Sequence, residues 1–544
     1  MPARDRLQNP KRELDGTVCF YQFCPSSSRN GGFSSLKKPE APDLKGRIGQ
    51  KGGTMTKNLV PLAVTFTVML LLSGPVMADS AEGLFDKAVA AERSGNLDEA
   101  LELFSRALEL DPGNGAIYNN RGIIHAQRDQ LDQAMEDFDQ AIRLDPDNAG
   151  AYNNRGMIFQ KKGDLHQAAA DYNKALEINQ AHVQALLNRA TLAIRTGTPA
   201  QAVADLTSVL QVDERNVKAR VILGRLYLTD GSPDKALREL SAALRQEPKN
   251  LEALSGSGDA NFIKGRFNKA VEDYSEAIEA GATDPRILVN RCSAFIRIQE
   301  FDKAVSDCAK ALELDPASSE GFYNLGNAYA AMIKNDDAIQ AYNRAIDLRD
   351  SRTDYFYNRG MILKKVGQDE KALADFDRVL DLDPKHADAL NNRGVLLLSK
   401  GNVQRAVEDF DRAVCEDARN LPALKNLAAG YLATDSSDKA LSILERALKI
   451  APKDPDILAR LGDAWSSKNR AEKAVASYKK ALERSVTPDQ QADVNARMGL
   501  AWERSGSIDK ALQAYAKAME SAQDTSMRER LRTKIDDLTA RKKR

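Results

Sequence analysis

The sequence predicts an all-α protein in which about thirteen copies of one helix hairpin stack into a right-handed α-solenoid. Three observations lead to this prediction. An alanine recurs every 34 residues from Ala100 to Ala474, a small residue stands twelve positions before each alanine, and Ala or Val stands seven positions after it. A fixed period of this length is typical of repeats that each contact only their neighbours.

The repeated alanine fixes the register of the copies. Each copy has two stretches in which apolar residues recur three or four positions apart, as on one face of an α-helix. A turn such as Gly163-Asp164 separates the stretches, and an Asp-Pro pair such as Asp111-Pro112 often ends the second one, because proline disfavours a helical residue before it. The alanines are Ala100, Ala134, Ala168, Ala202, Ala236, Ala270, Ala304, Ala338, Ala372, Ala406, Ala440, Ala474 and, after a three-residue insertion, Ala511.

Small residues stand where two helices must approach closely. The position twelve before the alanine holds Gly, Ala or Cys in every copy, and the position four after it often holds an aromatic residue such as Phe104 or Tyr172. A small residue facing a large one lets two helices pack without a gap. One hairpin cannot bury its apolar faces alone, so the copies are expected to stack. Residues 522–544 are expected to form a capping helix with a basic tail.

The unit "AYNNRGMIFQKKGDLHQAAADYNKALEINQ", residues 151–180, resembles the tetratricopeptide repeat family, whose period is 34 residues. The resemblance covers residues 81–521 and all thirteen copies. In the numbering of that family the recurrent alanine is position 20 and the small residue before it is position 8. The resemblance implies that the first helix of each hairpin lines a concave groove.

Arginine at position 7 coincides with aspartate at position 23 of the same copy. All six copies with this arginine have the aspartate, whereas one of the other seven does. Because an unpaired buried charge is costly, we predict a structural ion pair that joins the two helices, although duplication of whole copies would also keep both residues together. The predicted pairs are Arg121–Asp137, Arg155–Asp171, Arg189–Asp205, Arg291–Asp307, Arg359–Asp375 and Arg393–Asp409.

Asparagine at position 6 forms two rows. A carboxamide donates and accepts hydrogen bonds, which matches a peptide bond, and the rows resemble the groove asparagines that clamp a substrate backbone in the repeat arm of the O-GlcNAc transferase family. The alternative is that asparagine is ordinary at this position of the repeat. We interpret the second row, flanked by Tyr323 and Tyr357, as the main peptide-binding site. The first row is Asn120, Asn154 and Asn188, and the second is Asn290, Asn324, Asn358, Asn392 and Asn426.

Cys292 and Cys308 occupy positions 8 and 24 of one copy, which face each other across the hairpin. The pair is therefore either a disulfide or two small buried thiols. Cys415 has no evident mate. The four histidines lack metal-site spacing, and the sequence has no phosphate loop, nucleophile elbow or cofactor fingerprint, so we predict no catalytic residue, no metal and no cofactor.

The start of the chain resembles an export signal. Residues 55–78 contain a lysine, an apolar run from Leu59 to Leu72 and a small-residue cleavage sequence ending at Ala78, which is typical of a secretory signal peptide. Residues 1–54 lack helical periodicity and are expected to be a disordered leader that precedes the true start of translation at Met55. The alternative is an uncleaved membrane anchor behind a cytoplasmic tail.

Composition narrows the class of function. The 544 residues are 42% apolar and 29% charged, which favours a folded chain. The formal net charge is zero, so the composition does not indicate nucleic-acid binding. We therefore predict a non-enzymatic scaffold, exported to the bacterial periplasm, that binds extended segments of partner proteins. The alternatives are a substrate-recruiting, non-catalytic subunit of an envelope enzyme complex, or a membrane-tethered adaptor if the signal segment is not cleaved.

Overall fold

The computed structural model describes residues 80–485 and 487–543, and every regular element in these ranges is a helix, as the sequence predicts. The predicted leader and signal peptide lie outside the described residues. The described helices are α1 (Ala81–Arg93), α2 (Leu97–Leu110), α3 (Gly115–Gln127), α4 (Leu131–Leu144), α5 (Ala149–Lys162), α6 (Leu165–Ile178), α7 (Val183–Arg195), α8 (Pro199–Val212), α9 (Val217–Thr229), α10 (Pro233–Leu244), α11 (Leu251–Ile263), α12 (Phe267–Glu279), α13 (Pro285–Arg297), α14 (Phe301–Leu314), α15 (Ser319–Ala331), α16 (Asn335–Leu348), α17 (Thr353–Lys365), α18 (Asp369–Leu382), α19 (Ala387–Ser399), α20 (Val403–Glu416), α21 (Leu421–Ala433), α22 (Ser437–Ile450), α23 (Pro455–Ser467), α24 (Ala471–Leu482), α25 (Pro488–Arg504), α26 (Ile508–Ser521) and α27 (Thr525–Lys543).

The described residues divide into two compact units. The N-terminal unit is residues 80–264 with α1–α11, and the C-terminal unit is residues 265–543 with α12–α27. Inside each unit every helix contacts the next one along the chain, and most successive odd-numbered helices also contact each other, as α3 does with α5 and α13 with α15. This nearest-neighbour pattern confirms an all-α solenoid architecture.

The turn inside each hairpin requires a left-handed residue. Position 15 has a φ between 54° and 90° in all thirteen copies, and glycine fills it in eight of them. A left-handed residue ends the first helix and redirects the chain, and only glycine adopts it without a steric penalty. Ile333 is the β-branched exception, at φ 62°.

The first helix of most hairpins begins at a side-chain cap. Asn148, Asn216 and Asn250 each accept a hydrogen bond from a backbone N–H in the first turn, at 2.9–3.0 Å. His182 and His386 do the same through Nδ1, at 3.1 and 3.2 Å. Such caps satisfy donors that the helix itself cannot pair, so each polar residue before a first helix fixes where that helix starts.

The core of each hairpin lies where the small residues are. All thirteen position-20 alanines are fully buried. A Cβ atom added to Gly122 would lie 2.8 Å from the Phe138 ring, and one added to Gly462 would lie 2.3 Å from the Tyr478 ring. Glycine at position 8 therefore makes room for the ring at position 24, and this close contact orients the two helices.

The insertion in the last hairpin lengthens a helix instead of forming a loop. α25 begins at Pro488, four residues before the equivalent of Ala149 in α5, and a capping box of Thr487 and Gln490 starts it. The final helix, α27, packs on α26 and buries Leu531 and Leu538. Its position is that of a cap, since it covers the apolar face that the last repeat leaves open.

Candidate interaction surface

The structure forms each of the six Arg–Asp pairs with the same geometry. The arginine on the first helix donates from Nε and Nη2 to both oxygens of the aspartate on the second, at 2.6–2.9 Å. The aspartates are 2–4% exposed. The hydrogen bond from Arg121 to Asp137 raises the arginine pKa, although burial opposes the rise. A paired, fork-shaped contact of this kind fixes the angle between two helices.

Each of these arginines also reaches the preceding repeat, which the sequence pattern did not predict. Nη1 donates to a polar side chain at position 25 of the repeat before, at 2.7–3.3 Å, so that one guanidinium joins three helices. The sequence comparison within single copies could not indicate this contact, because the acceptor lies in another copy. The acceptors are Ser105, Asp139, Asn173, Ser275, Asn343 and Asp377.

The position-6 asparagines are linked from one repeat to the next. Asn154 Nδ2 donates to Asn119 Oδ1 at 3.0 Å, and Asn188 Nδ2 donates to Asn153 Oδ1 at 2.9 Å. Asn120 instead donates to the Ala116 carbonyl of its own helix. Each of these amides therefore uses at least one donor inside the array, and the remaining donor and acceptor capacity is what a ligand can use.

The asparagines of the second row make the same kind of hydrogen bond to the preceding repeat, but with different acceptors. Asn358 donates to the Tyr323 hydroxyl at 2.8 Å, Asn392 donates to the Tyr357 hydroxyl at 3.2 Å, and Asn426 donates to Asn391 at 2.9 Å. In each of these links the acceptor stands at position 5 of the preceding repeat, and Asn358 also donates to Asn327 at position 9 of that repeat, at 3.0 Å. The asparagines therefore help to set the spacing between repeats.

Burial corrects part of the predicted second site. Asn324 is 3% exposed and donates to Ser293 Oγ at 2.7 Å, and Asn392 is 9% exposed. Tyr323 is 2% exposed and lies between the rings of Tyr342 and Tyr355, with centroid distances of 5.9 and 4.7 Å. These side chains belong to the packed interior, because the large neighbours in this part of the array cover them.

Tyr357 and Asn392 form a connected polar group rather than an open contact. Tyr357 stacks on His386 with ring centroids 5.0 Å apart, and Lys364 Nζ donates to Asn392 Oδ1 at 2.8 Å. Burial lowers the pKa of Lys364 from its ordinary value. Asn290 and Asn358 are half-buried. Asn426 is half-buried as well, so two of the five asparagines of the second row, Asn324 and Asn392, belong to the interior.

The first row is more accessible. Asn120, Asn154 and Asn188 are half-buried, and Met157, one turn along α5 from Asn154, is 44% exposed. The structure therefore places an amide row beside an exposed apolar side chain in the N-terminal unit. That the second row is the main peptide-binding site stays a prediction, but the burial of Asn324, Asn392 and Tyr323 leaves fewer accessible side chains there than in the first row.

Charged pairs replace the asparagines at the C-terminal end. Arg460 Nε donates to Asp456 at 3.0 Å, Arg497 Nε donates to Asp493 at 2.8 Å, and Lys425 Nζ lies 3.1 Å from Asp456. Although burial opposes it, Arg460 and Lys425 hold the pKa of Asp456 below its ordinary value. These arginines follow the last asparagine of the second row along the chain, and the structure gives them carboxylate partners.

Cys292 and Cys308 are joined by a disulfide between α13 and α14, with Cα atoms 5.7 Å apart. Both residues are fully buried. The bond stands where other hairpins pack an aromatic ring on glycine. Cys415 is an exposed free thiol.

The described residues contain neither a metal-binding cluster nor a helix that could span a membrane. No group of three or more His, Cys, Asp or Glu side chains in residues 80–485 and 487–543 is arranged to hold a metal ion. In the same ranges no helix is both long enough and apolar enough to cross a membrane.

Models of the tetratricopeptide repeat match most of the helical region. The chain belongs to the tetratricopeptide repeat family. One family model covers residues 85–149, 187–241, 223–285, 292–353 and 357–422, a second covers 149–182, and a third covers 397–461 and 431–492. Proteins of this family bind protein partners, which supports a scaffold role for this chain. A comparison with curated proteins found no significant match.

Several solved structures are similar to this repeat protein. The Cut9–Hcn1 assembly of APC/C has 13% identity and a TM-score of 0.39, over 84% of this chain and 96% of that one. A tetratricopeptide repeat protein from Parabacteroides merdae has 24% identity and a TM-score of 0.34, over 46% and 99%. MamA has 26% identity and a TM-score of 0.28, over 30% and 95%.

Proposed function

We propose that this protein is a non-enzymatic scaffold that holds extended segments of partner proteins on the first helices of its N-terminal unit. The observation that carries the proposal is the accessible amide row of Asn120, Asn154 and Asn188 beside the exposed Met157. Amides satisfy the donors and acceptors of an extended backbone, and an apolar side chain adds contact area without reading a particular sequence.

The proposal includes export to the bacterial envelope. The disulfide of Cys292 and Cys308 supports this placement, because disulfides persist in oxidising compartments and are rare in the cytosol. The segment at residues 55–78 supplies the signal. Sequencing the N-terminus of the mature protein tests this part, with Asp79 as the expected first residue. A mature chain that still begins at Met1 or Met55 would contradict cleavage and favour the tethered alternative.

Site-specific crosslinking tests the binding surface. A photoreactive amino acid replaces Met157, and the matched control replaces Met361, which occupies the same repeat position on α17. We expect partner crosslinks in the cell envelope from position 157 that are lost when Asn154→Ala and Asn188→Ala are added. Crosslinks that survive these substitutions, or that arise only from position 361, would place binding elsewhere.

A further inference from the structure

The first helices of the N-terminal unit carry three parallel rows of side chains. On α5, Asn154 is followed three residues later by Met157 and four residues after that by Lys161. On α7 the same positions hold Asn188, Thr191 and Arg195. Residues spaced by three and four lie on one face of a helix, so an amide row, a middle row and a cationic row run across the neighbouring helices.

The cationic row is exposed. Lys161 has 53% of its side chain exposed, and Arg195 is exposed at the end of α7. Arg93 holds the same position on α1, whereas α3 has Gln127 there. The row therefore presents positive charge along the edge of the amide surface.

Existing contacts leave this charge open to competition. Lys161 Nζ lies 2.6 Å from Asp129, whose side chain is 75% exposed. Exposed ion pairs of this kind contribute little to stability, so a carboxylate on a bound segment can replace Asp129. Toward the N-terminus the surface changes, because α1 carries Asp86 at the amide position and Glu92 accepts from Gln127.

The C-terminal unit lacks a continuous version of this arrangement. At the position of Lys161 and Arg195, α19 has Ser399 and α21 has Ala433. Its asparagines Asn324 and Asn392 are also buried. Single first helices there do combine the two, as α13 and α17 do, but α5 and α7 are neighbouring first helices that both carry an asparagine and a cation.

We propose that the segment bound on this surface is extended and acidic, with apolar residues beside its carboxylates. The inference rests on the proposed function and specifies its partner chemistry. Helices in contact lie about 8–10 Å apart, and an extended chain rises about 3.3 Å per residue, so one repeat corresponds to about three residues of the segment. Its acidic residues would then recur at about every third position, where carboxylates meet Lys161 and Arg195 and apolar side chains meet Met157.

Fluorescence anisotropy with the full chain tests the inference. The probe is a labelled peptide of about twelve residues with Asp at every third position, Leu beside each Asp and Gln elsewhere, the spacing following from the repeat pitch. The matched peptide replaces each Asp by Asn. We expect the acidic peptide to bind about ten times more tightly at about 50 mM salt, and the preference to shrink at about 300 mM salt.

Reversing the charges of Lys161 and Arg195 tests whether these two cations cause the preference for the acidic peptide. Lys161→Glu with Arg195→Glu should abolish the preference for the acidic peptide, and circular dichroism checks that the variant remains helical. The control reverses Arg297 and Lys365, which stand at the same repeat position in the C-terminal unit, and should keep the preference.

The outcomes separate the inference from the proposed function. If both peptides bind equally and Asn154→Ala with Asn188→Ala weakens both, the acidic preference is wrong while backbone binding stands. If neither peptide binds, both are overturned. A preference that persists after reversal of Lys161 and Arg195, or disappears in the control variant, would also overturn the inference.

Discussion

The two units use the same repeat position for different purposes. In the N-terminal unit Asn154 and Asn188 are half-buried and donate to asparagines of the preceding repeat. In the C-terminal unit Asn358 and Asn392 donate to tyrosine hydroxyls, and Asn392 is nearly buried. Burial does not follow the acceptor alone, because Asn358 stays half-buried beside Tyr323, whereas Asn392 is buried where Lys364 and Tyr357 both contact it. One residue type thus changes from surface to interior according to its neighbour.

The largest expected difference between the units comes from the disulfide. The N-terminal unit contains no cysteine, so reduction with dithiothreitol should act on the C-terminal unit alone. We expect the hairpin of α13 and α14 to lose about 3 kcal/mol of stability, because the cross-link closes a loop of about 15 residues. Hydrogen exchange of this hairpin, compared with that of α3 and α4, measures the loss.

The matched control for this experiment restores the pattern of the other repeats. Cys292→Gly with Cys308→Tyr places a ring on a glycine, as Gly156 and Tyr172 do. This variant should fold and should not respond to dithiothreitol. Equal exchange in the two redox states of the natural chain would show that the bond contributes nothing to the hairpin.

The Arg–Asp pairs should contribute alike in both units, since their geometry is the same. Asp137→Ala in the N-terminal unit and Asp375→Ala in the C-terminal unit should each cost about 2 kcal/mol, because each removes the charged acceptor of a half-buried guanidinium. Urea denaturation followed by circular dichroism measures the change. Arg121→Leu combined with Asp137→Ala should recover part of the loss, and no recovery would argue against the pair as the cause.

Substituting one position-6 asparagine in each unit tests whether these side chains differ in their contribution to stability. Asn392→Ala should cost about 1.5 kcal/mol, since Asn392 is 9% exposed and its hydrogen bonds with the Tyr357 hydroxyl and with Lys364 Nζ are lost. Asn154→Ala should cost only about 0.5 kcal/mol, because water reaches its half-buried site. Equal losses in hydrogen exchange of α19 and α5 would remove the distinction between an internal and an accessible row.

The smallest expected effect is a gain in the stability of one hairpin. Ile333 is a β-branched residue in a left-handed turn of the C-terminal unit, with its side chain exposed. Ile333→Gly should stabilise the hairpin of α15 and α16 by about 1 kcal/mol, because glycine removes the steric penalty. The reverse substitution at the equivalent turn, Gly367→Ile, should destabilise its hairpin. A loss of stability in Ile333→Gly would mean that the isoleucine side chain makes a stabilising contact.

The sequence by itself determined the repeat, its register and the pairing inside each hairpin. The alanines at position 20, the small residues at position 8 and the coincidence of Arg121 with Asp137 all recur at fixed distances along the chain. A hairpin is a local structure, so residues sixteen positions apart are brought together by two helices and one turn. Periodicity therefore carries this information without knowledge of the rest of the fold.

Only the tertiary structure decided which asparagines remain accessible and which arginine contacts cross between repeats. The link from Arg155 to Asp139 and the burial of Asn324 both depend on how one hairpin lies against the next. That arrangement is set by the volumes of several side chains packed together, such as Tyr323 against Tyr342 and Tyr355. Since each copy repeats the same motif, the motif cannot show which of its polar groups a neighbour will cover.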